Sequence, residues 1–262
     1  MNKGRTKNIT IAAILALVMT FMEMTALPAA LFVSVQFKDI EPVYFALMVN
    51  FLIAFILCGM CRIFLIREWR FGLTGTGIAE GLKKYGLPAV IATVAVAAAF
   101  CIGLVPFDNT PTVWRVVIEG IVYYIGVGIM EELYLRGLLQ NVIGKLFGDR
   151  KNAALYAILI TSFLFGLGHI FGALGQPVVT ILCKTVWAAG LGVYFGVVYV
   201  LTRNLWVPII LHTLIDLCGI PVIFSSNGGY TAVSLVMSLI SFVLLGIYGI
   251  YVLKRDQGSS RR

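Results

Sequence analysis

Ionisable side chains are concentrated in three strongly apolar stretches of the chain, where a charged group is costly to bury. They are Glu131, Glu132, Arg136, His169, His212 and Asp216, and the two histidines are the only ones in the chain. An ionisable group near the centre of a bilayer costs about 2.5–3.5 kcal/mol on insertion scales, so its presence there indicates function. A carboxylate beside an imidazole in a cavity of low polarity is an arrangement that activates a water molecule. These residue types therefore favour acid–base chemistry within the membrane.

Helical spacing predicts which of these side chains interact. Glu132 and Arg136 are four residues apart on one helix face, in the order that favours an internal ion pair. Glu131 is rotated by about 100° from Glu132, so Arg136 does not readily neutralise both acids. His212 and Asp216 also share a face. We therefore expect Asp216 to hydrogen-bond the imidazole and set its tautomer.

The depth of two candidate residues also agrees. Glu131 lies 18 residues before Asp149, and His169 lies 19 residues after Arg150. If the chain turns between the two helices at that point, a rise of about 1.5 Å per residue brings the carboxyl group and the imidazole to nearly the same level. Phe165, one turn before His169, is expected to wall that side of the ring.

Composition defines the elements that must position these residues. The chain of 262 residues is 60% hydrophobic and 12% charged, whereas soluble domains are about 45–50% apolar and about 25% charged. This excludes a water-soluble globular protein and a disordered one. We predict an all-α, polytopic transmembrane bundle that forms a single domain over residues 1–262. About eight spans are expected, at 9–37, 42–66, 86–104, 112–147, 152–171, 178–201, 205–222 and 231–253, with an interfacial segment at 67–85.

The net charge of +8 is distributed unevenly along the chain. Sixteen of the 20 basic residues lie at the two termini or in alternate connections between the expected spans. The positive-inside rule then predicts eight spans with both termini cytoplasmic in the cell membrane. The same rule accounts for the basic excess without nucleic acid as a partner. Lys184, which lies outside the motifs, is interpreted as a structural or interfacial polar group.

Three short motifs in order carry a family resemblance. They are Glu131-Glu132-x-x-x-Arg136, Phe165-x-x-x-His169 and His212-x-x-x-Asp216, within residues 112–220. This pattern resembles the CPBP family of CAAX proteases and bacteriocin-processing enzymes, also called the Abi family, and is similar to the type II CAAX prenyl endopeptidases. The resemblance implies an eight-helix intramembrane endopeptidase with its catalytic core at 112–220 and a site that opens to the cytosolic side.

The resemblance also implies a role for each motif residue. Glu131 and His169 would activate the hydrolytic water, and His212 with the residue at 216 would support the oxyanion. Glu132 and Arg136 would be structural support. The family often has Asn at the last position, where this chain has Asp216. Because an ionised carboxylate cannot donate a hydrogen bond to an oxyanion, we favour Asp216 as the group that orients His212.

Two versions of the chemistry are open at this point. Glu131, His169 and His212 could hold a divalent metal such as zinc with one open position, as in a metalloprotease. They could equally work without a cofactor, with Glu131 as general base. The expected substrates are hydrophobic or lipidated membrane peptides, or propeptides such as bacteriocin precursors, and membrane lipid is the expected surrounding partner.

Two alternatives belong to other functional classes. A non-catalytic peptide-binding or immunity protein could use the same scaffold without needing Glu131. A proton-coupled transporter could use the buried acids and histidines as a relay, although the hydropathy has no repeated halves.

Overall fold

A computed structural model of the chain describes residues 3–24, 42–66, 71–104, 113–148, 150, 152–223 and 229–259. All regular structure in these ranges is helical, which confirms the all-α class. The α-helices are α1 (Lys3–Met24), α2 (Pro42–Met60), α3 (Ile78–Cys101), α4 (Val113–Glu132), α5 (Asn141–Phe147), α6 (Ala153–Phe171), α7 (Val178–Thr202), α8 (Trp206–Asp216), α9 (Ile220–Ile223) and α10 (Ala232–Ser259). A π-helical segment, Cys61–Leu65, continues α2, a second, Leu133–Gln140, joins α4 to α5, and a 3₁₀ turn, Leu217–Gly219, joins α8 to α9.

Four helices in the described ranges are long and apolar enough to cross a membrane. They are Ile78–Cys101, Ala153–Phe171, Val178–Thr202 and Ala232–Gly258. Their outer faces remain apolar. On α7, for example, Val178, Leu182 and Val186 form one stripe in which 70%, 59% and 51% of each residue is exposed. Such a stripe is typical of a lipid-facing helix surface, and the chain is a membrane protein.

Two expected boundaries differ in the structure. The interfacial segment expected at 67–85 includes the start of α3, which begins at Ile78 after Gly77 with a φ of 81°. Glu80 and the two lysines that follow it made this first part too polar for a hydropathy window, but polar side chains do not prevent helix formation. The expected first span at 9–37 coincides with α1 only as far as Met24, because residues 25–41 lie outside the described ranges.

The seventh expected span, 205–222, is interrupted. The α8 helix ends at Asp216, and the 3₁₀ turn intervenes before the single turn of α9. The expected spans at 152–171, 178–201 and 231–253 correspond closely to α6, α7 and α10. The long helix expected at 112–147 is nearly continuous from Val113, but its middle is π-helical.

The α7 helix packs between α6 and α10 through small residues. A Cβ atom added to Gly192 would lie 2.9 Å from Ser162 Cβ, and one added to Gly166 would lie 2.6 Å from the carbonyl oxygen of Thr185. Residue numbers rise from Ser162 to Gly166 along α6, while those of their partners fall from Gly192 to Thr185 along α7. The two helices are therefore antiparallel. Glycine permits this close backbone approach, and Gly192 and Gly196 have the G-x-x-x-G spacing that is typical of closely packed membrane helices.

The α10 helix runs parallel to α7. A Cβ atom added to Gly190 would lie 2.6 Å from the Phe242 carbonyl oxygen, and one added to Gly249 would lie 3.3 Å from Tyr194 Cα. Residue numbers therefore increase together along the two helices. With α4 and α8 packed against each other nearby, this arrangement encloses the polar residues that the sequence singled out.

Candidate active site

The two adjacent glutamates lie where α4 changes into the π-helical segment. All eight residues of that segment, Leu133–Gln140, are buried. Glu131 is 8% exposed and Glu132 is fully buried. Short π-helical segments inside α-helices are rare and frequently occur at functional sites. This π-helical segment directly follows both acids, which makes the region a candidate active site.

Glu132 is the centre of a buried network of charge. Its Oε1 atom accepts hydrogen bonds from Arg136 Nη1 at 2.8 Å and from His212 Nδ1 at 2.7 Å. The predicted ion pair between Glu132 and Arg136 is therefore confirmed. Arg136 also donates from Nη2 to the Gly192 carbonyl oxygen at 3.3 Å. Because burying an ion pair requires compensating hydrogen bonds, these contacts explain how two charges are held inside the bundle.

The hydrogen bond to Glu132 defines the orientation of His212. Since a carboxylate can only accept, Nδ1 of the ring carries the hydrogen, and Nε2 faces the opposite way. Nε2 lies 3.5 Å from Glu131 Oε2 and 3.5 Å from Asp216 Oδ2. The expectation that Asp216 sets the tautomer is therefore corrected. Glu132 makes the shorter bond, because the packing of α8 against α4 brings a buried carboxylate to Nδ1.

Aromatic rings support both histidines. Phe165 meets His169 edge to face, with ring centroids 4.6 Å apart, and meets His212 in the same way at 5.9 Å. Phe195 stacks on His212 at 4.8 Å with an angle of 20° between the rings. The Arg136 guanidinium lies over Phe165 and Phe195, at 4.9 Å and 5.5 Å from their centroids. Phe195 could not be singled out from the sequence, because one aromatic residue among many in apolar helices carries no distinguishing signal.

His169 is held by its own helix. Its Nδ1 lies 2.8 Å from the carbonyl oxygen of Phe165, so Nδ1 donates and Nε2 is the ring nitrogen that remains for other partners. His169 lines the same cavity as Glu131, His212 and Asp216. The structure thus brings together the four residues that the sequence proposed as catalytic. The four residues lie on three separate helices, and the packing of these helices brings their side chains to one cavity.

The cavity has a volume of about 290 Å³. Its aromatic and apolar wall includes Phe100, Tyr123, Tyr124, Val127, Trp187, Leu191, Ile215, Tyr230 and Phe242. Two polar residues outside the motifs, Lys184 and Ser238, also line it. Lys184 was expected to be a structural or interfacial group, and the structure places it in the lining of this cavity. A lysine within an apolar helix was a signal available in the sequence, but only the packing of α7 directs it to the site.

The zinc alternative depends on the donor atoms that Glu131, His169 and His212 present to the cavity. Within the described part of the chain, no three His, Cys, Asp or Glu side chains are grouped as metal ligands. Glu131, His169 and His212 share the cavity, and Nδ1 of each histidine is already bonded, to Phe165 and to Glu132. Nε2 of both rings faces away from these bonds, an arrangement that metal-ligating histidines also use, and the chemistry below is derived from the side chains themselves.

Comparison with known proteins agrees with the geometry. Residues 112–218 match the family model described as Type II CAAX prenyl endopeptidase Rce1-like. No curated protein matches the chain. The matched region extends from the start of α4 past the end of α8, and it includes every residue of the charge network and both histidines. Residues 112–218 are therefore an Rce1-like type II CAAX prenyl endopeptidase domain of the CPBP family, which is a family of proteases.

Proposed function

We propose that this protein is an intramembrane endopeptidase that hydrolyses a peptide bond in hydrophobic or lipidated membrane-associated peptides or propeptides. The observation that supports it most directly is the shared cavity of Glu131, His169, His212 and Asp216. Both imidazoles are oriented there through Nδ1, so each directs Nε2 away from its supporting bond. Precursors of bacteriocins or signalling peptides are substrates of this class.

The proposed reaction uses Glu131 as general base, with His169 positioning the water. A water molecule gives one proton to the Glu131 carboxylate, and its oxygen attacks the carbonyl carbon of the scissile bond. The C–N bond then breaks, and the proton passes from Glu131 to the leaving nitrogen, so that the enzyme returns to its starting state. A carboxyl group that takes and returns one proton balances the hydrolysis.

His212 is proposed to stabilise the oxyanion. Its Nδ1–H is bonded to Glu132, so only a proton on Nε2 can be donated to a negative oxygen. Asp216 Oδ2 lies 3.5 Å from that nitrogen, where a carboxylate attracts a protonated ring electrostatically. We therefore assign to Asp216 the support of the protonated ring, while Glu132 and Arg136 hold the ring in place.

Mass spectrometry of hydrophobic peptides incubated with purified protein tests the proposal. We expect the wild type to cut at a defined bond and Glu131→Ala to leave the peptides intact, a loss of at least about a hundredfold. Glu80→Gln is the matched control, because Glu80 is an exposed acid at the start of α3. Parallel reactions with a chelator report any metal requirement. Equal cleavage by the wild type and Glu131→Ala would contradict the proposal, and a biological phenotype that survives Glu131→Ala without any cleavage would favour the peptide-binding alternative.

We also propose that the whole chain is one multi-pass domain of about eight spans in the cell membrane, with both termini cytoplasmic. Four described helices are long enough to span, and 16 of the 20 basic residues lie at the termini or in alternate connections. The positive-inside rule relates such a distribution to orientation.

A further inference from the structure

Lys184 and Ser238 lie at the same level on two neighbouring helices. Gly190 of α7 packs against the α10 backbone at Phe242 and Gly246, which are 52 and 56 positions further along the chain. Ser238 is 54 positions after Lys184, which falls between these two offsets. Since α7 and α10 are parallel, the lysine and the serine lie at the same level along the bundle.

Both side chains line the cavity of the candidate active site. Ser238 is 1% exposed, and within the described part of the chain its Oγ atom has no hydrogen-bond partner. A buried hydroxyl without a partner costs free energy that a bound ligand can recover. Lys184 is half-buried and interacts electrostatically with the carboxylates of Asp216 and Glu131.

The surroundings of this pair are aromatic. Trp187 lies three residues after Lys184 on α7. Its ring centroid is 5.2 Å from that of Tyr230 and 6.5 Å from that of Phe242. The ammonium group offers three donors and the hydroxyl offers one, whereas a carboxylate offers only acceptors. The chemistry of the pair therefore matches a carboxylate, and the aromatic wall matches an apolar chain that carries it.

We propose that Lys184 and Ser238 form a subsite that binds a carboxylate of the substrate peptide. This inference rests on the proposed function, because it places the substrate in the same cavity. The carboxylate is either the free C-terminus of the peptide or an acidic side chain near the scissile bond. Both sources present the same acceptor oxygens to the subsite.

Binding can be measured without catalysis. In a Glu131→Gln background, a short fluorescent apolar peptide is prepared with a free C-terminal carboxylate, with a C-terminal amide, and with the amide plus one internal glutamate. We expect a carboxylate-bearing peptide to bind more tightly than the plain amide, and Lys184→Met to remove this preference, a change of about tenfold or about 1.4 kcal/mol. Ser238→Ala should reduce it in part, and Lys184→Arg should retain it.

Lys83→Met is the matched control, since Lys83 is exposed near the start of α3 and does not line the cavity. A preference for the free acid identifies the C-terminus, and a preference for the internal glutamate identifies a side chain. Equal binding of all three peptides, or a preference that survives Lys184→Met, would overturn the subsite. Because the measurement uses a background without Glu131, it remains informative whether or not the protein proves to be a protease.

A second inference follows from where the cavity lies along the bundle. The start of α1, the end of α5, the start of α6 and the ends of α7 and α10 belong to one end of the bundle, which we call the basic end. This end carries Arg5, Lys145, Arg150, Arg203, Lys254 and Arg255. Three of these, Arg5, Lys145 and Arg203, line a separate cavity of about 570 Å³, which shows that the helix ends that carry them meet.

The site cavity extends toward the opposite end. Its lining includes Phe100 in the last turn of α3 and His169 in the last turn of α6. It also includes Lys184 and Ser238, which lie in the first halves of α7 and α10. Each of these four residues is closer to the terminus of its helix that lies opposite the basic end.

We infer that substrate reaches the catalytic residues from the non-cytoplasmic face of the membrane. The positive-inside rule puts the basic end in the cytoplasm, so the cavity lies in the outer half of the bundle. The cytosolic opening implied by the family resemblance does not fit this arrangement. The substrate class that follows is a membrane peptide whose scissile bond lies at the outer surface. This inference rests on the proposed function for its substrate and on the proposed orientation of the termini for its topology.

Thiol labelling of intact cells tests the access route. Single cysteines are introduced at Leu174, an exposed residue beyond the end of α6, at Val127 in the cavity, and at Arg150 at the basic end, after the five natural cysteines are replaced. A membrane-impermeant maleimide should label positions 174 and 127 in intact cells and label position 150 only after permeabilisation.

Labelling of position 150 from outside would overturn the inference by reversing the orientation. The inference would also be overturned if the cysteine at position 127 reacted only after permeabilisation or did not react at all. Either result would show that the cavity is closed to water from the outer face. Absence of protease activity leaves these results unaffected, so failure of the access route and failure of the proposed function are separable.

Discussion

At the scale of single residues, the site depends on how one carboxylate is shared. Glu132 Oε1 accepts from both Arg136 and His212. Its second oxygen, Oε2, is buried and has no hydrogen-bond partner within the described part of the chain. The motif spacing predicted Glu132 only as a partner of Arg136, but its contact with His212 makes it a positioning residue for the imidazole.

Replacing Glu132 by glutamine should both weaken the fold and reduce activity. The change removes one charge of a buried pair and leaves the guanidinium of Arg136 uncompensated, which costs about 3–5 kcal/mol of unfolding free energy. Thermal unfolding in detergent measures the stability, and peptide cleavage measures the activity. Glu131→Gln serves as the comparison, since Arg136 pairs with Glu132 at 2.8 Å while Glu131 lies 3.5 Å from His212 Nε2, and we expect it to lose activity with a smaller loss of stability. Equal stability of Glu132→Gln and wild type would contradict a supporting role for the network.

At the scale of helices, two features position the site. The π-helical segment directly follows the glutamates, and side chains satisfy carbonyl groups along it: Asn141 Nδ2 donates to the Arg136 and Gly137 carbonyl oxygens at 2.9 Å and 3.1 Å. The close packing of α6 against α7 then places His169 and Phe165 beside α4. Hydropathy detects each helix, but neither the π geometry nor the mutual approach is encoded in an average over a window.

Adding a methyl group at Gly192 should separate α6 from α7. A Cβ atom there would lie 2.9 Å from both Cα and Cβ of Ser162, so the helices must shift, at a cost of about 1–3 kcal/mol. Gly192→Ala is therefore expected to lower the unfolding temperature in detergent and to reduce peptide cleavage.

Gly172→Ala is the matched control for that substitution. Gly172 lies at the end of α6 with φ −72°, and an added Cβ atom would meet nothing within 4 Å. We expect it to leave both measurements unchanged. If Gly192→Ala were as stable and active as Gly172→Ala, the close approach of the helices would not be required for the site.

At the scale of the whole molecule, the distribution of charge and the location of the cavity act together. Basic residues gather at one end of the bundle, while the candidate catalytic residues line a cavity displaced toward the other. A bundle with these properties has a chemically distinct face on each side of the bilayer. Under the proposed function, orientation therefore determines which peptides can be substrates.

Reporter fusions should place both termini in the cytoplasm. A fluorescent protein that matures only in the cytoplasm is expected to be bright when joined to either terminus, and a phosphatase that is active only after export is expected to be inactive there. The same phosphatase joined after residue 174, at the other end of α6, should be active. Opposite results at the two termini would require an odd number of spans.

The sequence by itself determined the class of the protein and its candidate residues. Its apolar composition excluded a soluble fold, and the i, i+4 spacing correctly paired Glu132 with Arg136, because that contact is local to one helix. Hydropathy also predicted the approximate limits of α6, α7 and α10. Local rules apply to these features, since each depends on residues within a few turns.

Only the tertiary structure decided which partner each group would take across helices. It assigned Nδ1 of His212 to Glu132 rather than to Asp216, stacked Phe195 on that ring, directed Lys184 and Ser238 into the cavity, and placed the cavity away from the basic end. These features depend on the rotation and axial offset of one helix relative to another. Such quantities arise from the packing of distant segments, where small residues such as Gly192 permit the closest approach.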